Sequence, residues 1–374
     1  MKAFDRREFL KKTAKGFAVA TTLALSPEQM IGGTLGKVVR GGSNTDMDTT
    51  AGIPDFKFNN SGKFKVMQIA DTHFVGVHEN HEGRLRMATQ EFAEEALRNI
   101  TSMLEEEKPD LVIHTGDIIY SAPAKENLKY ILSPMAKLHI PFAVTLGNHD
   151  EEFGLTRQEV FDYVRTLPSN INTPSIPGIH NCSNNIITLS TKDNKLKRVC
   201  YLLDSGRKFA EKPTCYDFIR HDQIERYCKK SEYFKQQNGG ENVPGMMFMH
   251  IPVREYNDGL RDTKRILRGN FGEEPGSSLY NSGLFSATVE RGDIDAFVFG
   301  HDHDSDCALM YMNKFLIYGR FSGYNSVYNN LKPGGVRLFE FSEKEAGFRS
   351  WIRLFTKEKQ QDYHYPEGFK SSLF

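Results

Sequence analysis

Short runs of apolar residues recur along the chain, and several are followed by longer stretches with an apolar residue at every third or fourth position. The short runs are typical of strands buried on both faces, and the longer stretches are typical of amphipathic helices. The clearest helical stretches are residues 86–107 and 221–237. This alternation predicts an α/β fold, in which buried strands lie between layers of helices.

The runs that we predict as buried strands are residues 63–71, 110–117, 140–147, 184–191, 197–205, 243–252 and 294–304. Residues 315–323, 335–342 and 348–355 alternate between apolar and polar positions, which indicates antiparallel strands. Residues 254–283 are glycine-rich and lack a clear period, so we predict an irregular segment there, followed by a short helix.

The N-terminal residues have a different pattern. A basic stretch precedes an apolar run at 16–25, which is too short to span a bilayer but suits the core of a signal peptide. The string Arg6-Arg7-Glu8-Phe9-Leu10-Lys11 resembles a twin-arginine export signal, and a basic amphipathic helix is the alternative. We therefore expect a signal segment at 1–30, export to a bacterial periplasm and no stable membrane anchor.

Composition favours one large soluble domain. Of the 374 residues, 39% are hydrophobic and 26% are charged, which is the balance of a globular enzyme. The chain has 48 basic and 48 acidic residues, so net charge gives no reason to expect a nucleic-acid partner. We predict a linker at 31–60, rich in Gly, Ser, Thr and Asn, one domain at 61–356 and a C-terminal tail at 357–374. The sequence does not determine the oligomeric state.

Side chains that can bind metals or transfer protons follow five of the predicted strands. Taken singly, such residues are usually turn residues, helix caps or hydrogen-bonded structural histidines. The carboxyl ends of neighbouring parallel strands meet at one edge of a sheet, where ligands bind in α/β folds. Five strands that end in this way therefore favour a shared site. The residues are Asp71, His73, Asp117, Asn148, His149, Asp150, His250, His301, Asp302 and His303.

Seven of these side chains divide into two possible sets of metal ligands. The first set is Asp71, His73, Asp117 and His303, and the second is Asp117, Asn148, His250 and His301. Asp117 belongs to both because a carboxylate can bridge two ions. Mixed nitrogen and oxygen ligands suit manganese, iron or zinc and disfavour calcium. Two such ions about 3.5–4 Å apart can activate a bridging hydroxide for attack on phosphorus.

The motifs DTH at 71–73, GD at 116–117, GNHD at 147–150, the isolated His250 and GHDH at 300–303 resemble, in order and spacing, those of the calcineurin-like metallophosphoesterase superfamily. Residues 250–256, 272–285 and 299–306 are similar to its branch related to purple acid phosphatases. The resemblance covers most of the chain after the linker. It implies a four-layer α/β/β/α sandwich of two mixed sheets with flanking helices, and a dinuclear metal site at the carboxyl ends of the strands.

The resemblance also implies catalytic roles. Asn148 would bind the second ion, and His149 would face the substrate and protonate the leaving group, for which an imidazole is suited. Asp150 would either orient His149 or hold the loop. Many members brace this histidine with an aspartate where Tyr120 stands, so the group that orients His149 stays open. Tyr120 matches the iron-binding tyrosine of true purple acid phosphatases, but packing or pocket lining is favoured because His73 completes the first ligand set.

Together these features predict a metal-dependent phosphomonoesterase that acts on a small-molecule phosphate ester. A phosphodiesterase or nucleotide hydrolase with the same metals is the near alternative, and a non-catalytic metal-bound interaction module is the remote one. Arg254 and Tyr324, together with Arg320, are candidate substrate contacts, because a guanidinium group matches the geometry of phosphate.

Overall fold

The computed structural model describes residues 52–76, 90–209, 215–262 and 265–369. The predicted signal segment at 1–30 and the linker up to residue 51 lie outside these ranges, so both stay predictions. In the part of the chain that the structure describes, no helix is both long enough and apolar enough to cross a membrane.

Two large sheets form the centre of the fold. The strands are β1 (Asp55–Lys57), β2 (Lys63–Ile69), β3 (Leu111–His114), β4 (Phe142–Val144), β5 (Asn185–Ser190), β6 (Leu196–Leu202), β7 (Lys208–Phe209), β8 (Cys215–Tyr216), β9 (Gly245–Phe248), β10 (Ile266–Arg268), β11 (Ile294–Phe299), β12 (Ala308–Tyr311), β13 (Lys314–Tyr318), β14 (Gly335–Ser342), β15 (Phe348–Leu354) and β16 (Lys359–Tyr365). One sheet has eight strands in the order β1-β5-β6-β9-β11-β13-β12-β10, and the other has six in the order β16-β15-β14-β2-β3-β4. Strands β7 and β8 form a small third sheet.

Helices cover the outer face of each large sheet. They are α1 (Gln90–Glu107), α2 (Ala124–Lys137), α3 (Arg157–Arg165), α4 (His221–Gln237), α5 (Glu255–Arg261) and α6 (Leu284–Arg291). Helix α1 shows why they pack there: Ala93, Ala96, Ile100 and Met103 are buried at helical spacing, so one apolar stripe faces the sheet.

The strands bury both faces, which explains their continuous apolar runs. In β2, Val66 packs between the two sheets, whereas Met67 packs in the cluster with helices α1, α2 and α3. In β9, Met246 packs between the sheets, whereas Met247 packs in the cluster with α4, α5 and α6. The order of layers is helix, sheet, sheet, helix, which confirms the predicted four-layer α/β/β/α sandwich.

The centre of each sheet is parallel. Strands β2, β3 and β4 run parallel to one another in the six-stranded sheet. Strands β6, β9, β11 and β13 do the same in the eight-stranded sheet. Antiparallel neighbours flank both groups, so both sheets are mixed.

Three segments differ from the expectation. Residues 254–283, predicted as irregular, contain helix α5 and strand β10. Residues 359–365, expected within a C-terminal tail, form β16 and pair with β15, and Phe369 is fully buried beyond it. Residues 55–57, placed in the linker, form β1 beside β5. These strands are short or carry many polar residues, so they lack the apolar pattern by which a strand is recognised.

Candidate metal centre

The candidate site lies where the carboxyl ends of the two parallel strand groups meet. The loops after β2, β3 and β4 of the six-stranded sheet carry Asp71, His73, Asp117 and Asn148. The loops after β9 and β11 of the eight-stranded sheet carry His250, His301 and His303. The structure brings all seven predicted ligands together, and each is buried.

The first cluster is Asp71, His73 and His303, whose ligand atoms lie within 4.8 Å of one another. The Nε2 atoms of His73 and His303 are 3.0 Å apart. They lie 4.0 Å and 3.8 Å from the Oδ1 atom of Asp71. These separations suit three ligands of one ion, because metal–nitrogen and metal–oxygen bonds are about 2.0–2.2 Å long.

The second cluster is Asp117, His250 and His301, whose ligand atoms also lie within 4.8 Å of one another. The Nε2 atom of His250 is 3.1 Å from Nδ1 of His301 and 3.0 Å from Oδ1 of Asn148. Asn148 therefore places an amide oxygen beside this cluster, and its role as a ligand of the second ion stays a prediction.

Asp117 lies between the clusters. Its Oδ2 atom is 3.3 Å from Nε2 of His73 in the first cluster and 3.2 Å from Nε2 of His250 in the second. One carboxylate thus faces ligands of both clusters. This is the position that a bridging ligand requires.

Hydrogen bonds outside the clusters fix which ring nitrogens face the site. The Nδ1 atom of His250 lies 2.9 Å from the carbonyl oxygen of Thr115, and Nδ1 of His303 lies 2.9 Å from that of Tyr328. Because a carbonyl only accepts, both Nδ1 atoms carry a proton, and Nε2 is the ring nitrogen that each of these histidines can offer to a metal.

Several ligands occupy backbone conformations that non-glycine residues rarely adopt. The φ angles are 56° at Asp71, 39° at His73, 51° at Asp117 and 81° at His301. Such strain persists only where surrounding contacts hold it, and it concentrates at functional sites. Here the Asp71 carboxylate accepts a hydrogen bond from the backbone N–H of His301, at 2.9 Å, which links the two sheets.

Glycines let the ligand loops approach each other. A Cβ atom at Gly147 would collide with the Asp117 carboxylate, and one at Gly116 would collide with the backbone of Gly147. The glycines that precede Asp117 and Asn148 are therefore needed to bring these two ligands into one site.

The electrostatics of the clusters favour added positive charge. Burial raises the pKa of Asp71 to about 8, against the lowering effect of His250. Burial also opposes ionisation of Asp117, but His250 and His73 outweigh it and hold the Asp117 pKa well below its usual range. Burial lowers the pKa of His250, but Asp117 and Asp71 outweigh it and raise that pKa to about 9. Because bound cations require ionised carboxylates and neutral imidazoles, they would oppose both raised pKa values.

The donor set fits metal ions. It combines buried carboxylates and imidazole nitrogens, whose ligand atoms lie within 4.8 Å of one another in each cluster, with an amide oxygen 3.0 Å from Nε2 of His250. Residues of this kind suit divalent or trivalent ions of the manganese, iron and zinc group. The two clusters are the expected places for them.

His149 lies at the accessible side of the clusters. Its side chain is 20% exposed, whereas those of His73 and His250 are 2% and 0% exposed. Its ring centroid is 5.6 Å from that of His73, and its backbone N–H donates to Oδ1 of Asp117 at 2.9 Å. His149 can therefore meet a substrate without being one of the clustered ligands.

A glutamate holds the His149 ring. The Nδ1 atom of His149 lies 2.7 Å from Oε2 of Glu152. Burial lowers the pKa of His149, but this hydrogen bond and the charge of Asp117 outweigh it, so the pKa lies above its ordinary value. The sequence analysis left the partner of His149 open and did not single out Glu152. The signal was an acid three residues after the histidine.

Asp150 holds the loops instead of orienting His149. Its fully buried carboxylate accepts hydrogen bonds from the backbone N–H groups of Gly147, Asp117 and Ile118, at 2.8, 3.1 and 2.7 Å. The sequence left two roles open for Asp150, orienting His149 or holding the loop. These hydrogen bonds are the ones expected of a residue that holds the loop. A catalytic role of Asp150 stays a prediction, and the contacts of its carboxylate favour the loop-holding role.

We expect Asp150→Ala to lower the free energy of unfolding by about 3 kcal/mol or more, because buried N–H groups lose a charged acceptor. Urea denaturation of the metal-free protein measures this. The control is Asp162→Ala, an acid in α3 whose side chain is 52% exposed. A surface change of that kind should stay within about 0.5 kcal/mol. Equal stability of the two variants would contradict the loop-holding role.

A buried ion pair supports the loop that carries Asn148 and His149. The guanidinium of Arg157 donates to the carbonyl oxygens of Gly147 and Leu146 at 2.7 and 2.9 Å and pairs with Asp204. Neither charged residue stood out in the sequence, because they are 47 positions apart.

The candidate substrate contacts have other partners. Arg254 donates from Nη1 to the carbonyl oxygen of Leu279 at 3.0 Å. Arg320 is buried, pairs with Asp306 and donates to the carbonyl oxygen of Pro333. Tyr324 packs edge-on against Phe92 of α1, with ring centroids 5.7 Å apart. These contacts are structural ones, and the placement of Arg254, Arg320 and Tyr324 as substrate contacts stays a prediction.

Tyrosines pack against the histidines of the site. Tyr120 lies edge-on to His73 and His149, with ring centroids 5.2 and 5.0 Å away. Two further tyrosines, which the sequence did not indicate, pack against other histidines of the site. Tyr216 is edge-on to His301 at 4.3 Å, and Tyr328 is stacked on His303 at 4.4 Å.

Comparisons with known proteins agree with this geometry. A family model described as "Calcineurin-like phosphoesterase" matches residues 64–305. A relative named "Probable inactive purple acid phosphatase 29" from Arabidopsis thaliana is 31% identical, with 82% of this chain and 86% of the relative covered. "Phosphatase DCR2" from Saccharomyces cerevisiae is 29% identical, with 80% of this chain and 55% of the relative covered.

A solved structure has a similar fold. It is described as a dimetal phosphatase from Danio rerio and matches with a TM-score of 0.54 at 12% identity. The match covers 80% of this chain and 98% of that one. At this identity the likeness shows the fold alone.

Proposed function

The chain belongs to the calcineurin-like phosphoesterase family, in its branch related to purple acid phosphatases, and on that premise we propose that it hydrolyses small phosphate monoesters with two bound metal ions. The observation that carries the proposal is the pair of clusters that face one shared carboxylate, Asp117, with the accessible His149 beside them. Two bound ions would supply activation of the attacking water and stabilisation of the charge on the phosphoryl oxygens.

The residues of the chain would bind the metal ions and protonate the leaving group. Asp71, His73 and His303 would hold one ion, and Asn148, His250 and His301 the other, with Asp117 between them. His149 would give a proton to the leaving oxygen as the bond from phosphorus to that oxygen breaks. Because Nδ1 of His149 is taken by Glu152, Nε2 is the atom left to donate.

The word "inactive" in the name of the Arabidopsis relative belongs to that protein. A non-catalytic metal-bound module is the corresponding alternative for this chain. A module that bound metals without catalysis would keep its ligands but would be under no constraint to keep the proton donor. Here all seven ligands and His149 are present, which supports catalysis.

The test compares ester classes. The purified, manganese-loaded protein is assayed with 4-nitrophenyl phosphate and bis(4-nitrophenyl) phosphate, with the Asp117→Ala variant, which lacks the shared carboxylate, as the control for contaminating activity. We expect faster hydrolysis of the monoester. A preference for the diester would replace the proposal with a phosphodiesterase or nucleotide hydrolase that uses the same metals.

Hydrolysis of neither ester, with both metals bound, would contradict the proposal and favour the interaction module. Metal content measured on the same samples separates that outcome from simple failure to load metal.

A further inference from the structure

Glu152 and His149 are in contact because the chain turns between them. The backbone N–H of Glu152 donates to the carbonyl oxygen of His149 at 3.0 Å, which folds the chain back on itself. The side chains then meet at 2.7 Å, from Oε2 to Nδ1. The glutamate is 43% exposed and the imidazole 20% exposed, so the pair lies at the mouth of the site, outside the buried clusters.

The contact leaves one ring nitrogen of His149 for the substrate. A carboxylate accepts, so Nδ1 of His149 carries the proton in this pair, and the imidazole is held in one orientation. Tyr120 fixes the ring from another side, edge-on at 5.0 Å, and itself packs on Phe153 at 5.7 Å. Carboxylate and tyrosine together restrict how the ring can turn.

The other acids near His149 are engaged elsewhere. Asp117 receives the His149 backbone N–H and faces the ligand histidines. The Asp150 carboxylate is surrounded by backbone N–H groups. Glu151 lies 2.8 Å from the guanidinium Nε of Arg207. Glu152 is therefore the carboxylate that contacts the His149 ring.

We propose that Glu152 is the positioning residue of His149 in the reaction. By holding Nδ1–H, it directs Nε2 to the leaving oxygen and stabilises the protonated ring until the proton is transferred. This inference rests on the proposed function, in which His149 protonates the leaving group. Glu152 itself touches neither the substrate nor the metals in this scheme.

The test uses leaving groups of different quality. Phenyl phosphate has a poor leaving group that needs a proton, and 4-nitrophenyl phosphate has a good one that needs it less. For Glu152→Ala we expect kcat to fall by about 10–100-fold on phenyl phosphate, the usual effect of removing a residue that orients another. The fall on 4-nitrophenyl phosphate should be several times smaller, and KM should change little. Glu152→Gln keeps an acceptor oxygen and should recover part of the loss.

Two further variants test whether Glu152 acts through His149. Glu151→Ala removes the same charge from the neighbouring position, and its kcat should stay within about twofold of wild type on both substrates, because the Glu151 carboxylate pairs with Arg207 and not with the His149 ring. In a His149→Ala background, Glu152→Ala should cause no further loss, because residues that act as one unit are not additive.

An equal loss on both substrates, or a full additional loss in the double variant, would overturn the positioning role. The proposed function fails differently. If His149→Ala showed no dependence on the leaving group, the proton-donor role of His149 itself would be wrong. If His149→Ala showed that dependence and Glu152→Ala did not, only the inference about Glu152 would fall.

Discussion

His149→Ala is expected to lower kcat by about 10²–10⁴-fold on a monoester with a poor leaving group, while both metal ions stay bound. A loss of kcat of this size is the usual effect of removing a general acid. Metal content should persist because the His149 side chain is none of the clustered ligands and its link to Asp117 runs through the backbone N–H, which alanine keeps. Steady-state kinetics and metal analysis on the same preparation measure both.

The matched control for this variant is the same substitution at His180. His180 is another histidine whose Nδ1 contacts an acid, Asp222 at 2.6 Å, but its side chain is 63% exposed and belongs to neither cluster. We expect His180→Ala to retain wild-type kcat. Loss of metal from His149→Ala, or equal kinetics of the two variants, would show that His149 does not act as the proton donor.

Asp117→Ala is expected to reduce the binding of both ions and to lower kcat by about 10³-fold or more. Its Oδ2 atom faces ligands of both clusters, so its removal affects two sites at once. Metal ions contribute several kcal/mol to stabilising a charged transition state, and about 1.4 kcal/mol corresponds to a factor of ten in rate. Metal analysis after dialysis against a limiting concentration of manganese measures the stoichiometry.

The metal content of Asp117→Ala is compared with that of His303→Ala. His303 belongs to the first cluster alone, so its removal should weaken one ion and retain the other. Circular dichroism of both metal-free variants checks that each is folded. If Asp117→Ala lost no more metal than His303→Ala, the carboxylate would not be shared between the two ions.

Some features of the site followed directly from the chain order. Each ligand comes within five residues of a strand end, as Asn148 does after Val144, and the strands that precede the ligands are parallel. Parallel strands bring the residues that follow them to one edge. For this reason, a shared site could be predicted before any distance was known, and the ligand roles stay predictions that the two clusters support.

Other features depended on contacts that local patterns do not encode. The sequence pointed to Asp150, one position after His149, and not to Glu152, three positions after it. The turn after His149 brings Glu152 into contact with the imidazole ring. Two neighbouring loops direct their backbone N–H groups at the Asp150 carboxylate. Likewise, Arg254 follows a ligand strand but bonds to the carbonyl oxygen of Leu279.

The sequence by itself indicated the candidate ligands, their order and an α/β fold, because strand periodicity and the residues after each strand are local properties of the chain. The resemblance of the motifs implied the four-layer sandwich. The tertiary structure alone decided which side chains touch. Asp71 comes from one sheet and His303 from the other, and their atoms meet only because the two sheets pack face to face. The partner of His149, the support by Arg157 and the inclusion of β16 in the sheet depend on such packing, which no local pattern specifies.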